Sequence, residues 1–90
     1  MSKADILIVD DQDDIRDLIG GLLGDEGYST RQAANSSAAL AAIAEKAADI
    51  VVLDIGLENS EMDGVELLKS LTKSHPDMPV IMISGHGTIE

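Results

Sequence analysis

An α/β fold with a parallel central sheet is predicted by three features of this chain. Four-residue apolar runs recur along it. Those runs are rich in β-branched residues. Each run stops at a polar side chain: Ile6-Leu7-Ile8-Val9 before Asp10-Asp11, Ile50-Val51-Val52-Leu53 before Asp54, and Val80-Ile81-Met82-Ile83 before Ser84. Runs apolar at every position read as strands buried on both faces, the pattern of parallel sheets covered by helices. Between the runs the spacing turns helical, and alternation of strand and helix implies right-handed crossovers.

The elements follow in order. After the first run, Ile15, Leu18, Ile19, Leu22 and Leu23 fall on one helical face at i, i+3, i+4, i+7 and i+8. Asp13 and Asp14 stand at the start of that helix, where its dipole favours negative charge, and Gly27 follows as a C-terminal cap. Tyr28-Ser29-Thr30-Arg31-Gln32-Ala33 alternates loosely, which suits an exposed edge strand. Asn35-Ser36-Ser37 supplies caps for an Ala-rich helix with Leu40, Ile43 and Ala47 inward. A loop after Asp54 leads to a helix opened by Asp63, with Glu66 three residues on as in a capping box. Val65, Leu67, Leu68 and Leu71 form its buried face. It ends before His75-Pro76, and Pro79 introduces the last strand.

Ninety residues make one small domain. Tyr28 is the only aromatic residue, so the core is built from Leu, Ile, Val, Met and Ala. Met62, Met78 and Met82 read as packing residues. A net charge of −11 argues against direct nucleic-acid binding, which needs Lys and Arg to neutralise phosphates. The absence of Cys excludes disulfides and thiolate metal sites and suits a reducing compartment. The N-terminal apolar run is too short for a signal peptide or a membrane span. The expectation is a soluble, cytoplasmic protein without membrane contact.

Ligands of parallel α/β sheets bind outside the carboxyl ends of the strands. If the three runs lie side by side, Asp10, Asp11 and Asp54 converge there with the Ser84 hydroxyl. Crowded carboxylates repel one another and call for a cation, and Mg²⁺, with its octahedral preference for oxygen, is the natural choice. The pattern therefore predicts metal-assisted phosphoryl chemistry. A plainer reading makes the three carboxylates helix caps and Ser84 a turn residue. The coincidence of three such strand ends weighs against the first half of that reading.

Val9-Asp10-Asp11, Leu53-Asp54, Met62-Asp63-Gly64-Val65-Glu66-Leu67-Leu68 and Pro79-Val80-Ile81-Met82-Ile83-Ser84 resemble, in order and spacing, the signature of response-regulator receiver domains. The resemblance implies a flavodoxin-like, doubly wound parallel sheet of order 2-1-3-4, with the family's fifth strand missing. It makes residues 1–90 one receiver domain, incomplete at its C-terminal end. It implies that Asp54 accepts a phosphoryl group from a sensor histidine kinase, a self-catalysed step and not turnover of a free substrate. Asp10 and Asp11 correspond to the acidic pair that organises Mg²⁺. Asp11, Asp54 and the backbone carbonyl of Gly56 correspond to ligands, and Ser84 to the switch hydroxyl. A transcription-regulating output module, absent here, would make any contact with DNA.

Departures from the family pattern matter as well. The loop over residues 55–63 is longer than usual and has Glu58 where the family commonly places a proline. That loop, with Ser84-Gly85-His86-Gly87, is similar to the NtrX-type nitrogen-regulation group, in which the receiver precedes an ATPase and a DNA-binding module. The family's Lys follows a further strand, and Lys69 and Lys73, on the helix before Pro76, cannot replace it. The uncharged run from Val80 then becomes a sheet edge, and the face around Val65 to Leu71 is partly bared, so a homodimer is expected. His75 reads as a helix-end residue and His86 as a loop residue. An alternative is a Mg²⁺-dependent phosphohydrolase of haloacid-dehalogenase type, although adjacent Asp10-Asp11 does not match that family's Asp-x-Asp. A nucleotide- or flavin-binding domain would need a glycine-rich phosphate loop where Asp10-Asp11-Gln12-Asp13-Asp14 stands.

Overall fold

The computed structural model describes residues 4–58 and 60–83. Ser84, expected as the switch hydroxyl, and Gly85-His86-Gly87 lie outside the described residues. The elements are β1 (Asp5–Val9), α1 (Asp13–Asp25), β2 (Ser29–Ala33), α2 (Ser36–Glu45), β3 (Ile50–Asp54), α3 (Gly64–Ser74) and β4 (Val80–Ile83). The four strands pair in parallel in the order β2-β1-β3-β4, as expected of a flavodoxin-like sheet.

Local chemistry sets the element ends. Asn35 Oδ1 accepts the Ala38 amide at 2.8 Å and starts α2. Asp63 and Glu66 exchange bonds of 2.8 and 3.0 Å, completing the capping box that starts α3. α1 ends in a Schellman turn: the Gly27 amide donates to the Gly24 carbonyl and the Tyr28 amide to that of Leu23. Gly27 has φ 96°, a conformation that favours glycine. Tyr28 is thus consumed by the turn, and β2 begins at Ser29.

The main core lies on the α2 and α3 side of the sheet. Leu7, Val9, Val51 and Leu53 point into it from the strands, and Ala39, Ile43, Leu67 and Leu71 from the helices. Met62, Met78 and Met82 pack against it. α1 covers β1 and β2 on the opposite side. Ile8, Val52 and Ile81 form one cross-strand row on that side. Exposure rises along the row from 0% at Ile8 through half-buried Val52 to 51% at Ile81.

Four expectations are corrected. Among the described residues the third and fourth strands are not buried on both faces: α1 rests on β1 and β2, and Val52 and Ile81 lie beyond its cover. Leu18 and Leu22, assigned to the inner face of α1, are 59% and 60% exposed; its apolar arc is wider than the two strands beneath it. Val65 is exposed at the first turn of α3, whereas Leu67 and Leu71 are fully buried. Ala47 is exposed because α2 stops at Glu45 and Lys46 is extended, so the helical phase is lost and Ala48 is buried instead.

Arg31 ties the far end of the sheet together. Its guanidinium bonds the Asp5 carboxylate at 2.5 and 3.2 Å, the Ala42 carbonyl at 2.9 Å and the Lys46 carbonyl at 2.8 Å. One side chain thus joins β1, β2 and the C-terminal end of α2. The Arg31 and Asp5 side chains are 26% and 10% exposed, so the pair is shielded from water. Breaking such a pair strands the remaining charge and leaves carbonyls unmatched. Arg31→Met should lower stability by about 2–3 kcal/mol in urea unfolding, and adding Asp5→Asn should recover part of the loss. A change below about 0.5 kcal/mol, the range of ordinary surface substitutions, would show that the network is not needed.

Candidate functional site

Strand register builds the site. Val9 on β1 pairs with Leu53 on β3, so Asp10 and Asp54 leave adjacent strands side by side. Asp10 and Asp54 are fully buried and Asp11 is half-buried. One ligand oxygen from each of Asp10, Asp11 and Asp54 lies within 4.8 Å of the others. Among the described residues no other group of three His, Cys, Asp or Glu side chains is so placed. The structure thus brings together the three carboxylates singled out in the sequence.

The carboxylates also shape the loops they open. Asp10 Oδ1 accepts the Gln12 amide at 2.8 Å, and Asp54 Oδ1 accepts the Gly56 amide at 2.9 Å. Each is an Asx-type turn that redirects the chain immediately after a strand. Asp10 Oδ2, Asp11 Oδ1 and Asp54 Oδ2 are buried oxygens. Three carboxylates at such separations repel by roughly 3 to 4 kcal/mol per pair at an effective dielectric near 20. The donor set is all oxygen, without nitrogen or sulfur, which fits a hard divalent cation and not a zinc site. The cluster could therefore hold a metal.

Gly56, half-buried, lies in the turn directly after Asp54. Ile83 is the register partner of Asp54 and its carbonyl accepts the Ile55 amide at 2.8 Å. Ser84 follows Ile83 in sequence but lies outside the described residues. Lys69 and Lys73 are exposed on α3.

Three residues support the site although sequence reasoning gave none of them a role there. Gly64 lets α3 begin against the chain that leaves β3: a Cβ there would stand 2.8 Å from Ile55 Cα and still closer to the Asp54 carbonyl. Backbone cannot yield at that distance, so hydrogen alone fits. Ser36, almost fully buried, clips the long loop to α2. Its Oγ accepts the Met62 amide at 3.1 Å, and its own amide donates to Ser60 Oγ at 2.7 Å. Arg16 reaches back from α1 to the Asp10 carbonyl at 2.6 Å. Ser36 was visible only as one of several capping candidates. An Arg inside an acidic run was the one signal for Arg16.

A doubly wound parallel sheet with an acidic cluster at the ends of β1 and β3 defines a class: residues 6–90 match the response regulator receiver domain, and the chain belongs to that family. Within the family the likeness is to NtrX-type regulators. An NtrX-like response regulator of Rickettsia bellii is 56% identical over 90 residues, covering 100% of this chain and 19% of the relative. The crystal structure of the NtrX receiver domain from Brucella abortus matches with a TM-score of 0.87 and 55% identity, over 91% of this chain and 68% of that one. Sporulation initiation phosphotransferase F of Bacillus subtilis is 38% identical over 100% of this chain and 71% of its own length. The chain thus spans about a fifth of its NtrX-type curated relatives and about two thirds of an isolated receiver. The haloacid-dehalogenase alternative is not favoured.

Proposed function

We propose that this chain is the phosphoacceptor switch of a two-component system, with Asp54 taking a phosphoryl group from a phosphohistidine of a sensor histidine kinase. The observation that carries this is the convergence of Asp10, Asp11 and Asp54 at the carboxyl ends of two adjacent parallel strands. An Asp54 carboxylate oxygen attacks phosphorus. The new O–P bond forms as the P–N bond to the donor histidine breaks, and its electron pair returns to the imidazole. Asp11, Asp54 and the Gly56 carbonyl would hold Mg²⁺, and Asp10 would orient the site through its bond to the Gln12 amide. When bound, the ion supplies positive charge against the phosphoryl oxygens. Ser84, next after the register partner of Asp54, would hydrogen-bond a phosphoryl oxygen and report occupancy to the fold.

The reaction consumes the chain's own carboxylate, so the protein acts as a switch and turns over no free substrate. Its output would be a transcription-regulating module beyond these residues, and DNA contact would belong to that module, since the net charge of −11 opposes contact here. No helix among the described residues is long and apolar enough to cross a membrane, and a cytoplasmic setting is part of this reading. Acetyl phosphate should label the protein once, and Asp54→Asn should abolish the label. Mg²⁺ should shift amide resonances near Asp11 and Asp54. Asp11→Asn should weaken that binding by about tenfold or more, equivalent to roughly 1.4 kcal/mol. Labelling that survives Asp54→Asn would remove the acceptor assignment, and an unchanged Mg²⁺ response in Asp11→Asn would remove the metal assignment.

A homodimer of the 90-residue chain is also part of the proposal. Among the described residues no strand pairs with the outer edge of β4, which carries no charge. Ile81, Leu18 and Leu22 add exposed apolar surface. At about 25 cal/mol per Å², each ~100 Å² covered contributes roughly 2.5 kcal/mol before the entropy of association. Sedimentation should find dimers at low micromolar concentration. A monomer throughout that range would contradict this.

A further inference from the structure

The Arg16 side chain is only 12% exposed although it stands on a surface helix. Its guanidinium meets three elements: Nη1 donates to the Asp10 carbonyl at 2.6 Å, Nε to Gln32 Oε1 on β2 at 3.2 Å, and Nη2 pairs with the Asp13 carboxylate at the start of α1. Asp13 is 88% exposed, so that ion pair contributes little. The short bond to the Asp10 carbonyl is the shielded one.

A peptide unit is planar, so the Asp10 carbonyl and the Asp11 amide turn together. Fixing that oxygen fixes the direction in which the chain enters Asp11. The Asp10 amide is already bound to the Ala33 carbonyl at 3.1 Å, and the Asp10 carboxylate to the Gln12 amide. Arg16 supplies a further restraint on this turn. We propose that Arg16 is a positioning residue for the acidic site, holding the Asp10–Asp11 peptide so that the Asp11 carboxylate is presented to the cation. This rests on the proposed Mg²⁺ site.

Position and charge act in opposite directions here, which makes the inference testable. Arg16 is a fixed cation near a site for another cation, so electrostatics alone predicts tighter Mg²⁺ binding when it is removed. Positioning predicts weaker binding. The experiment titrates Mg²⁺ into the 90-residue chain and into Arg16→Gln, Arg16→Lys and Asp13→Asn, following amide shifts, with thermal melting in parallel. Loss of a residue that orients a ligand lowers metal affinity by about tenfold, so Arg16→Gln and Arg16→Lys should both weaken binding to that degree, charge retained or not. Asp13→Asn should stay within about twofold of the parent. Arg16→Lys decides the matter if Arg16→Gln does not fold. Parent-like or tighter binding in the folded Arg16 variants overturns the positioning role alone. A parent that shows no Mg²⁺ response overturns this inference and the metal site together.

Discussion

Mutual repulsion among three carboxylates is the constraint around which this structure is arranged. The register of β1 and β3 leaves no choice: once Val9 pairs with Leu53, Asp10 and Asp54 emerge as neighbours, and Asp11 follows within reach. Two of the three are fully buried. Burial strengthens every charge interaction at the spot, so the cluster attracts a cation that fits it. A cation held among these carboxylates would offset their repulsion.

Much of the surrounding backbone holds that cluster in place. Asp10 and Asp54 each use one oxygen to fold the loop that follows. Gly64 admits the start of α3 against the chain leaving β3, where a side chain would collide with backbone, and the Asp63–Glu66 capping box fixes that start. The long loop between them is bound to α2 by the reciprocal bonds of Ser36 with Met62 and Ser60. The loop that follows Asp54 is thereby joined to both α2 and α3.

The elements and the acidic site were legible because both follow from local rules. Four-residue apolar runs marked three of the strands and loose alternation marked β2, helical spacing marked the helices, and a strand that ends at Asp presents that Asp at the sheet's carboxyl edge. Periodicity was a weaker guide to burial. It marks Leu18, Leu22 and Val65 as apolar but not which element covers them, and here they stand exposed. Ala47 failed for another reason: the helix ended two residues earlier than its composition suggests. Arg16, Arg31 and Ser36 were hidden because their partners lie on other elements, up to 26 residues away. Polar side chains of this kind look like ordinary surface residues until the fold brings their acceptors to them.

A cation bound among Asp10, Asp11 and Asp54 should offset their mutual repulsion and stabilise the fold. Thermal melting of the parent and of Asp11→Asn, each without Mg²⁺ and with saturating Mg²⁺, tests this most directly. A ligand that binds only the folded state must raise its melting temperature. Mg²⁺ should raise the parent's melting temperature. Asp11→Asn should melt higher than the parent without Mg²⁺ and gain little when Mg²⁺ is added. A parent indifferent to Mg²⁺, or an Asp11→Asn variant that melts lower without it, would show that carboxylate repulsion at this site does not govern stability.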